Sequence, residues 1–312
     1  MPKYLSKNAI EGSVMTNQTT AAHIAMLILL SILWAGTFVF VKIADASLNP
    51  YTIMAARAVV SAVFLWLVLP LSGRPLFSYF KNYRYQLTCF CSAILIAYMW
   101  LTIAFSEKVL SASMASLLIT ALVPITWFIA VFILREKTFY SLNALGIVIA
   151  TLGMMVIIGF NNIFHADHVL WATLLYISGL ISFAFAATAN KRLAPNIDPL
   201  ITITFNLFYI AIILVIAAFI KTNPLQDHFT TKNVIALFAL GAGSTGIGYL
   251  IYFYLSHKAG LVYAALSSYL VPIFGFMMGI IFLQESFSWL QACGLLIVFI
   301  GVCLMQNKSK SA

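Results

Sequence analysis

Charge is what this chain has least of. Of its 312 residues only 8% are Asp, Glu, Lys or Arg, while 63% are hydrophobic. A soluble domain carries about a quarter charged residues, so this chain cannot cover a water-facing surface, and it is expected to lie in a bilayer. Cysteine is scarce too. Cys89, Cys91, Cys293 and Cys303 all fall inside apolar runs; none has metal-ligand spacing, and residues two apart on a helix splay away from each other. They read as small apolar filler. Also missing are a His-Glu-x-x-His motif and any evident nucleophile–base–acid set, so no enzyme is expected. No cofactor or metal is implied. The net charge of +9 does not indicate nucleic acid, because the basic residues are scattered through short connections rather than gathered in a patch.

What is present is a series of long apolar runs. A span needs about 20 mostly apolar residues, and ten segments qualify, near 24–43, 51–71, 86–105, 111–134, 141–160, 169–191, 199–220, 232–255, 259–283 and 289–306. The fold class is therefore all-α integral membrane, with ten transmembrane helices. Residues 1–22 read as a polar cytoplasmic tail with little structure, and the apolar run from Ile24 as an uncleaved first helix rather than a signal peptide. The connections hold turn formers such as Ser47-Leu48-Asn49-Pro50 and Asn196-Ile197-Asp198-Pro199.

With the N-terminus inside, twelve basic residues lie on the cytoplasmic side: Lys3, Lys7, Arg74, Lys81, Arg84, Arg135, Lys137, Lys191, Arg192, Lys258, Lys308 and Lys310. Four lie opposite, at Lys42, Lys108, Lys221 and Lys232. The positive-inside rule then places both termini in the cytoplasm.

The chain also repeats itself. LVPITWFIAVFILRE (Leu122 to Glu136) returns as LVPIFGFMMGIIFLQE (Leu270 to Glu285). Pro124 and Pro272, Gly146 and Gly294, and Gly153 and Gly301 are each 148 apart; Lys42 and Lys191, Pro50 and Pro199, and Glu136 and Glu285 are each 149 apart. A register held over half a chain marks a duplicated unit of five helices, here residues 23–160 and 168–306. Five is odd, so the second copy enters the membrane inverted. Inverted repeats suit alternating access, in which the halves rock about a central site. Pro124 and Pro272 each remove a backbone donor and are candidate hinges, although a packing role for both stays open.

The stretch SILWAGTFVFVKIADASLNPYTIMAARAVVSAVFL resembles the opening of EamA-type members of the drug/metabolite transporter superfamily. There a Trp-x-Gly and a terminal Lys in the first helix precede a Pro and an Arg in the second, here Trp34, Gly36, Lys42, Pro50 and Arg57. The Pro, apolar run, Glu and Gly-rich helix that close each half are similar to the family pattern as well. The resemblance implies a ten-helix inner-membrane carrier of small metabolites, often an exporter of amino acids. The second half departs from it: Asn206 stands where the first has Arg57, and Ser182 and Phe183 where Trp34 is expected. Any site is thus asymmetric.

Arg57 is the ionisable residue that falls clearly within a span, about 9 Å along its helix from the outer end. It either faces a cavity and attracts a substrate carboxylate, or it braces loop carbonyls and fixes the second span. The eight carboxylates lie in the tail, in connections or at helix ends, and all five histidines are peripheral. No intramembrane relay is visible, which favours a neutral, zwitterionic or weakly apolar substrate; coupling through Glu107 or Glu285 stays open. Glu136 and Glu285 are expected to cap the helices that follow them.

GAGSTGIG, Gly241 to Gly248, contains Gly-x-Gly-x-x-Gly, but inside a helix rather than between a strand and a helix, which excludes the nucleotide reading. These glycines instead allow close approach of another helix or a substrate, with Gly243 and Gly246 as further hinge candidates. Trp34, Thr37, Tyr98, Trp100, Tyr249, Tyr252, Tyr263 and Ser267 offer aromatic walls and hydroxyls for a pocket, with Asn206 beside them; interface belts and packing seams are the alternative for each Tyr. Asn190 and Lys191 either gate the inner mouth or mark the membrane boundary. The expected partners are a small-molecule substrate and the lipid bilayer. A lipid or lipid-linked-sugar flippase and a non-transporting scaffold are the competing functions. Reporter fusions placed after Glu136 and after Glu285 should read opposite faces of the membrane; the same face for both would end the inverted-repeat reading.

Overall fold

The computed structural model describes residues 5–71, 76–129, 141–158, 167–193, 198–258, 267–285 and 289–306. Among the described residues every regular element is helical. The elements are α1 (Leu5–Asp45), α2 (Pro50–Leu71), α3 (Tyr83–Ser106), α4 (Ala112–Leu118), α5 (Leu122–Phe128), α6 (Ser141–Ile158), α7 (Asp167–Leu193), α8 (Pro199–Lys221), α9 (Thr231–Phe238), α10 (Gly248–Lys258), α11 (Ser267–Leu283) and α12 (Trp289–Gln306). A nine-residue π-helical segment, Ala239–Ile247, joins α9 to α10 without a break.

Six stretches are long and apolar enough to cross a membrane: Ala21–Asp45, Pro50–Leu71, Tyr83–Ser106, His168–Ala187, Leu200–Lys221 and Thr231–Tyr252. Shorter apolar helices, Ala112–Ala121, Val148–Ile157, Leu270–Leu283 and Trp289–Gly301, occupy the remaining expected places. The polar N-terminal segment departs from expectation: α1 starts at Leu5, so the helix runs back through most of the presumed unstructured tail.

The turn formers act as caps. Side chains of Asn82, Ser111, Asp198 and Thr230 accept from the backbone N–H of Tyr85, Met114, Leu200 and Asn233 at the starts of α3, α4, α8 and α9. Each satisfies a donor that the first helical turn leaves orphaned. Pro199 opens α8 at a position where its missing N–H costs nothing. Outside the bundle, large apolar side chains such as Leu67, Ile216, Ile281 and Leu296 are more than half exposed, as a bilayer solvent permits.

The helix pairings repeat under exchange of the two halves. α3 packs on α7, and the π segment with α9 and α10 packs on α1. α1 packs on α11, and α7 on α5. α3 lies against α8, and the π segment against α2. The pairs α2 with α8, α4 with α11, and α6 with α12 map onto themselves. This is the pattern a pseudo-two-fold relation requires.

The symmetry is broken in two places. A 3₁₀ turn, Ile119–Ala121, separates α4 from α5, with Pro124 just beyond it, whereas Pro272 lies within an uninterrupted α11. The π segment has no counterpart in α3, which is regularly α-helical at the matching positions.

The glycines that reveal the repeat also join the halves. A Cβ on Gly153 of α6 would lie 2.7 Å from the Val298 nitrogen of α12; one on Gly294 would meet the Gly153 carbonyl oxygen at 2.8 Å, and one on Gly301 the Gly146 carbonyl oxygen at 2.6 Å. The two backbones touch, as small residues allow between helices in lipid. Gly153→Val should therefore lower the thermal unfolding midpoint of the purified protein, since overpacking costs about 1–3 kcal/mol. Gly243→Ala, whose Cβ meets nothing nearer than Leu33 Cδ2 at 4.0 Å, should leave the midpoint almost unchanged.

Candidate functional site

Arg57, on the inward face of α2, is 9% exposed. Its guanidinium carbon sits 4.0 Å above the centre of the Trp100 ring on α3. Its Nε donates to Thr245 Oγ1 at 3.0 Å. The ring supplies a negative face for the cation, and the hydroxyl an acceptor for one of its five donors. Thr245 belongs to the π segment, and its own hydroxyl donates to the Leu240 carbonyl, five residues back, at 2.9 Å.

The glycines around Thr245 explain how the segment reaches α2. A Cβ on Gly241 would be 2.6 Å from Val60 Cβ and 3.1 Å from the Arg57 carbonyl oxygen, and one on Gly246 would be 2.4 Å from Phe64. The close-approach reading of GAGSTGIG holds at these positions. Gly246 is packed against Phe64, while Gly243 has room beside it.

A second group adjoins the first. Trp34 on α1 meets Tyr252 with ring centroids 5.4 Å apart and Tyr249 edge-on at 6.3 Å. Gly248 admits it: a Cβ there would fall 2.7 Å from Trp34 Nε1. Tyr249 lies within electrostatic reach of Arg57, which relates the two groups. Thr37, nearly one turn beyond Trp34, is half-buried. Asn206 on α8 is 1% exposed, and neither its amide oxygen nor its amide nitrogen has a hydrogen-bond partner among the described residues. Ser267 is fully buried, and its carbonyl faces Ser31 Oγ across 3.5 Å.

Tyr98 is a departure. It is 46% exposed on the outer side of α3, where its hydroxyl meets Ser178 Oγ at 3.0 Å. At about 100° per residue, positions 98 and 100 point nearly opposite ways, so burying Trp100 turns Tyr98 outward. Tyr263, Glu136 and the side chain of Lys191 lie outside the described residues. Asn190 accepts from Ser92 Oγ at 2.7 Å and ties α7 to α3.

One end of the bundle, marked by Lys42, is densely bonded. Lys42 Nζ donates to the Leu110 carbonyl at 3.0 Å and to the Glu107 carbonyl. Asp45 pairs with Lys108 at 3.3 Å. Thr52 donates to Asp227, and Asn233 Nδ2 to Ser47. Among the described residues, the helix that Glu285 caps is not the one that follows it. Gln284, at φ 54°, turns the chain after α11, and the Glu285 carboxylate crosses to the start of α4 in the other half. There it accepts from the Ala112 N–H at 2.7 Å, the Ser113 N–H at 2.9 Å and the Ser113 hydroxyl. A carboxylate is favourable at a helix N-terminus and would be unfavourable at the C-terminus it leaves.

Sequence reasoning missed Thr245, Tyr176 and the depth of Glu107, a residue completely buried just past α3. Thr245 had a signal, since a cation within a span needs an acceptor on a neighbouring helix. Glu107-Lys108 has the look of any solvated turn. An apolar groove of about 280 Å³ between α4, α11 and α12, lined by residues such as Leu117, Ile273, Phe276 and Leu295, contains none of the expected site residues.

The model of the EamA-like transporter family matches twice, at residues 22–159 and 170–306. The chain belongs to that family. It is a multi-pass membrane transporter of the EamA type. An uncharacterized transporter in the trpA 3′ region of Buchnera aphidicola subsp. Schlechtendalia chinensis is 26% identical over 291 residues, 88% of this chain and 89% of that protein. The uncharacterized transporter YoaV of Bacillus subtilis (strain 168) is 21% identical over 276 residues, 88% of this chain and 94% of that protein. A solved crystal structure shares the fold at a TM-score of 0.66 and 13% identity, covering 92% of this chain and 96% of that one.

In this EamA-like chain the Glu285 contact ties the end of the second half to the first. Glu285→Ala should lower the unfolding midpoint of the purified protein by the equivalent of about 0.5–2 kcal/mol, the usual cost of a lost helix cap. Glu285→Gln, which keeps an acceptor, should lose less.

Proposed function

We propose that the chain is an alternating-access carrier with ten spans in two inverted repeats (23–160 and 168–306), a polar segment (1–22) and both termini in the cytoplasm. It exports a small metabolite such as an amino acid across the inner membrane. The reading is carried by one observation: a buried guanidinium, held by Trp100 and Thr245, adjoins an aromatic wall of Trp34, Tyr249 and Tyr252 where elements of both halves meet.

In this proposal Arg57 attracts the carboxylate of a zwitterion, because its guanidinium is a fork with donors beyond the one that Thr245 takes. Trp34, Tyr249 and Tyr252 offset the desolvation of the apolar part of the substrate. Thr37, Asn206, Tyr263 and Ser267 supply further polar contacts, and the bare amide of Asn206 suits such a role. Tyr98, on the outer surface, is left out. Pro124, Pro272, Gly243 and Gly246 serve as the flexible points about which the halves rock, and the bonded Lys42 end corresponds to a closed gate.

The test begins untargeted, by comparing metabolites retained by cells that lack or overproduce the protein. One amino acid should accumulate without the protein and be depleted on overproduction. In proteoliposomes Trp34→Ala and Tyr252→Ala should each reduce its flux about two- to tenfold, as an aromatic contact is worth ~0.5–1.5 kcal/mol. No change in any pool, together with movement of labelled lipid in the same vesicles, would replace this reading with lipid flipping.

A further inference from the structure

Glu107 is 0% exposed, and neither of its carboxylate oxygens has a hydrogen-bond partner among the described residues. The charged and titratable groups within electrostatic reach of it are Lys42 and Asp45 on α1, Arg57 on α2, Tyr176 on α7 and Glu285 beyond α11.

Both cations are engaged elsewhere. Lys42 donates to the main-chain carbonyls of Glu107 and Leu110, not to the carboxylate. Arg57 donates to Thr245 and stacks on Trp100. The two acids have partners as well: Asp45 has Lys108, and Glu285 has the start of α4. Tyr176 presents a buried hydroxyl that, like Glu107, has no hydrogen-bond partner among the described residues. An ionised carboxylate cannot stay buried without hydrogen bonds; such a group takes up a proton instead.

We propose that Glu107 is a coupling-proton site. It holds a proton while the Lys42 end of the bundle is closed and passes that proton to water when the end opens. Opening leaves the carboxylate solvated and frees the Lys42 ammonium to face it, so no uncompensated charge remains. Burial raises the Glu107 carboxyl well above the ordinary carboxylate range, Lys42 and Arg57 oppose that rise, and Asp45 and Glu285 add to it. A carboxyl whose affinity for protons is higher in the closed form favours closure at low pH, and this contribution is lost as pH rises through the closed-state value. The inference rests on the transport reading for its meaning, but not for its test.

The full chain is reconstituted in lipid nanodiscs, with the proton as the only ligand. Infrared titration should show a protonated carboxylic acid band at pH 7 that Glu107→Gln removes. In the otherwise native protein that band should vanish well above the ~4.3 of a free glutamate. Spin labels at Val109→Cys and Leu225→Cys, two exposed positions at the Lys42 end, in a background without the native cysteines, should separate as pH rises through the same midpoint. Glu107→Gln should hold them close at every pH, and Glu107→Asp should restore the response.

A band that Glu107→Gln leaves intact, a midpoint near ~4.3, or label separation that responds to pH equally in Glu107→Gln overturns the proposal. If the glutamine variant fails to fold, the midpoint in the native side-chain background still decides. Neither readout involves a solute, so a protein that titrates as described but moves no metabolite overturns the transport reading alone.

Discussion

A permanently charged side chain within an apolar bundle has to be matched by its neighbours. An arginine at the centre of a bilayer costs about 2.5–3.5 kcal/mol on insertion scales, and Arg57 meets this demand with a ring face on one helix and a hydroxyl on another. Several features follow from it. Trp100 turns inward, which sends Tyr98 out to the bundle surface. The apolar span Thr231–Tyr252 winds as a π-helix over Ala239–Ile247, which places Thr245 opposite the guanidinium. Glycines line that segment because Val60, Phe64 and Trp34 press against it.

The repeat supplies the frame in which this happens. Backbone contact at Gly153, Gly294 and Gly301 seals α6 to α12, and α2 crosses α8 at the pseudo-two-fold position. Within that frame the halves have diverged in their chemistry. The first contributes the cation and Trp34; the second contributes the π segment that holds the cation, and has Asn206 at the sequence position that matches Arg57. Two halves related in their packing and unlike in their chemistry leave the site asymmetric.

The Lys42 end joins the same features at longer range. Contacts from the connections that follow α1, α3, α8 and α11 converge there, and Glu285, just after α11, caps a helix of the opposite half. Beneath this cover lies Glu107, with Tyr176 near it and Arg57 within electrostatic reach. The fold thus places a carboxyl and a guanidinium inside one envelope, with no direct bond between them among the described residues.

Apolar run length, the punctuation of turn formers and the 148–149 residue register are properties of the sequence alone. They determined an all-helical membrane protein built twice from one unit, because span length and repeat spacing do not depend on what a side chain touches. They also singled out Trp34, Arg57, Trp100 and the glycines of GAGSTGIG, each unusual for its place in an apolar run. Only the tertiary structure decided which of these meet. The outward turn of Tyr98, the reach of Glu285 across the halves, and the burial of Glu107 beneath Lys42 depend on contacts between residues 60 to 180 positions apart. No local pattern encodes such contacts, since exposure and hydrogen bonding are set by the neighbours a helix acquires when the bundle closes.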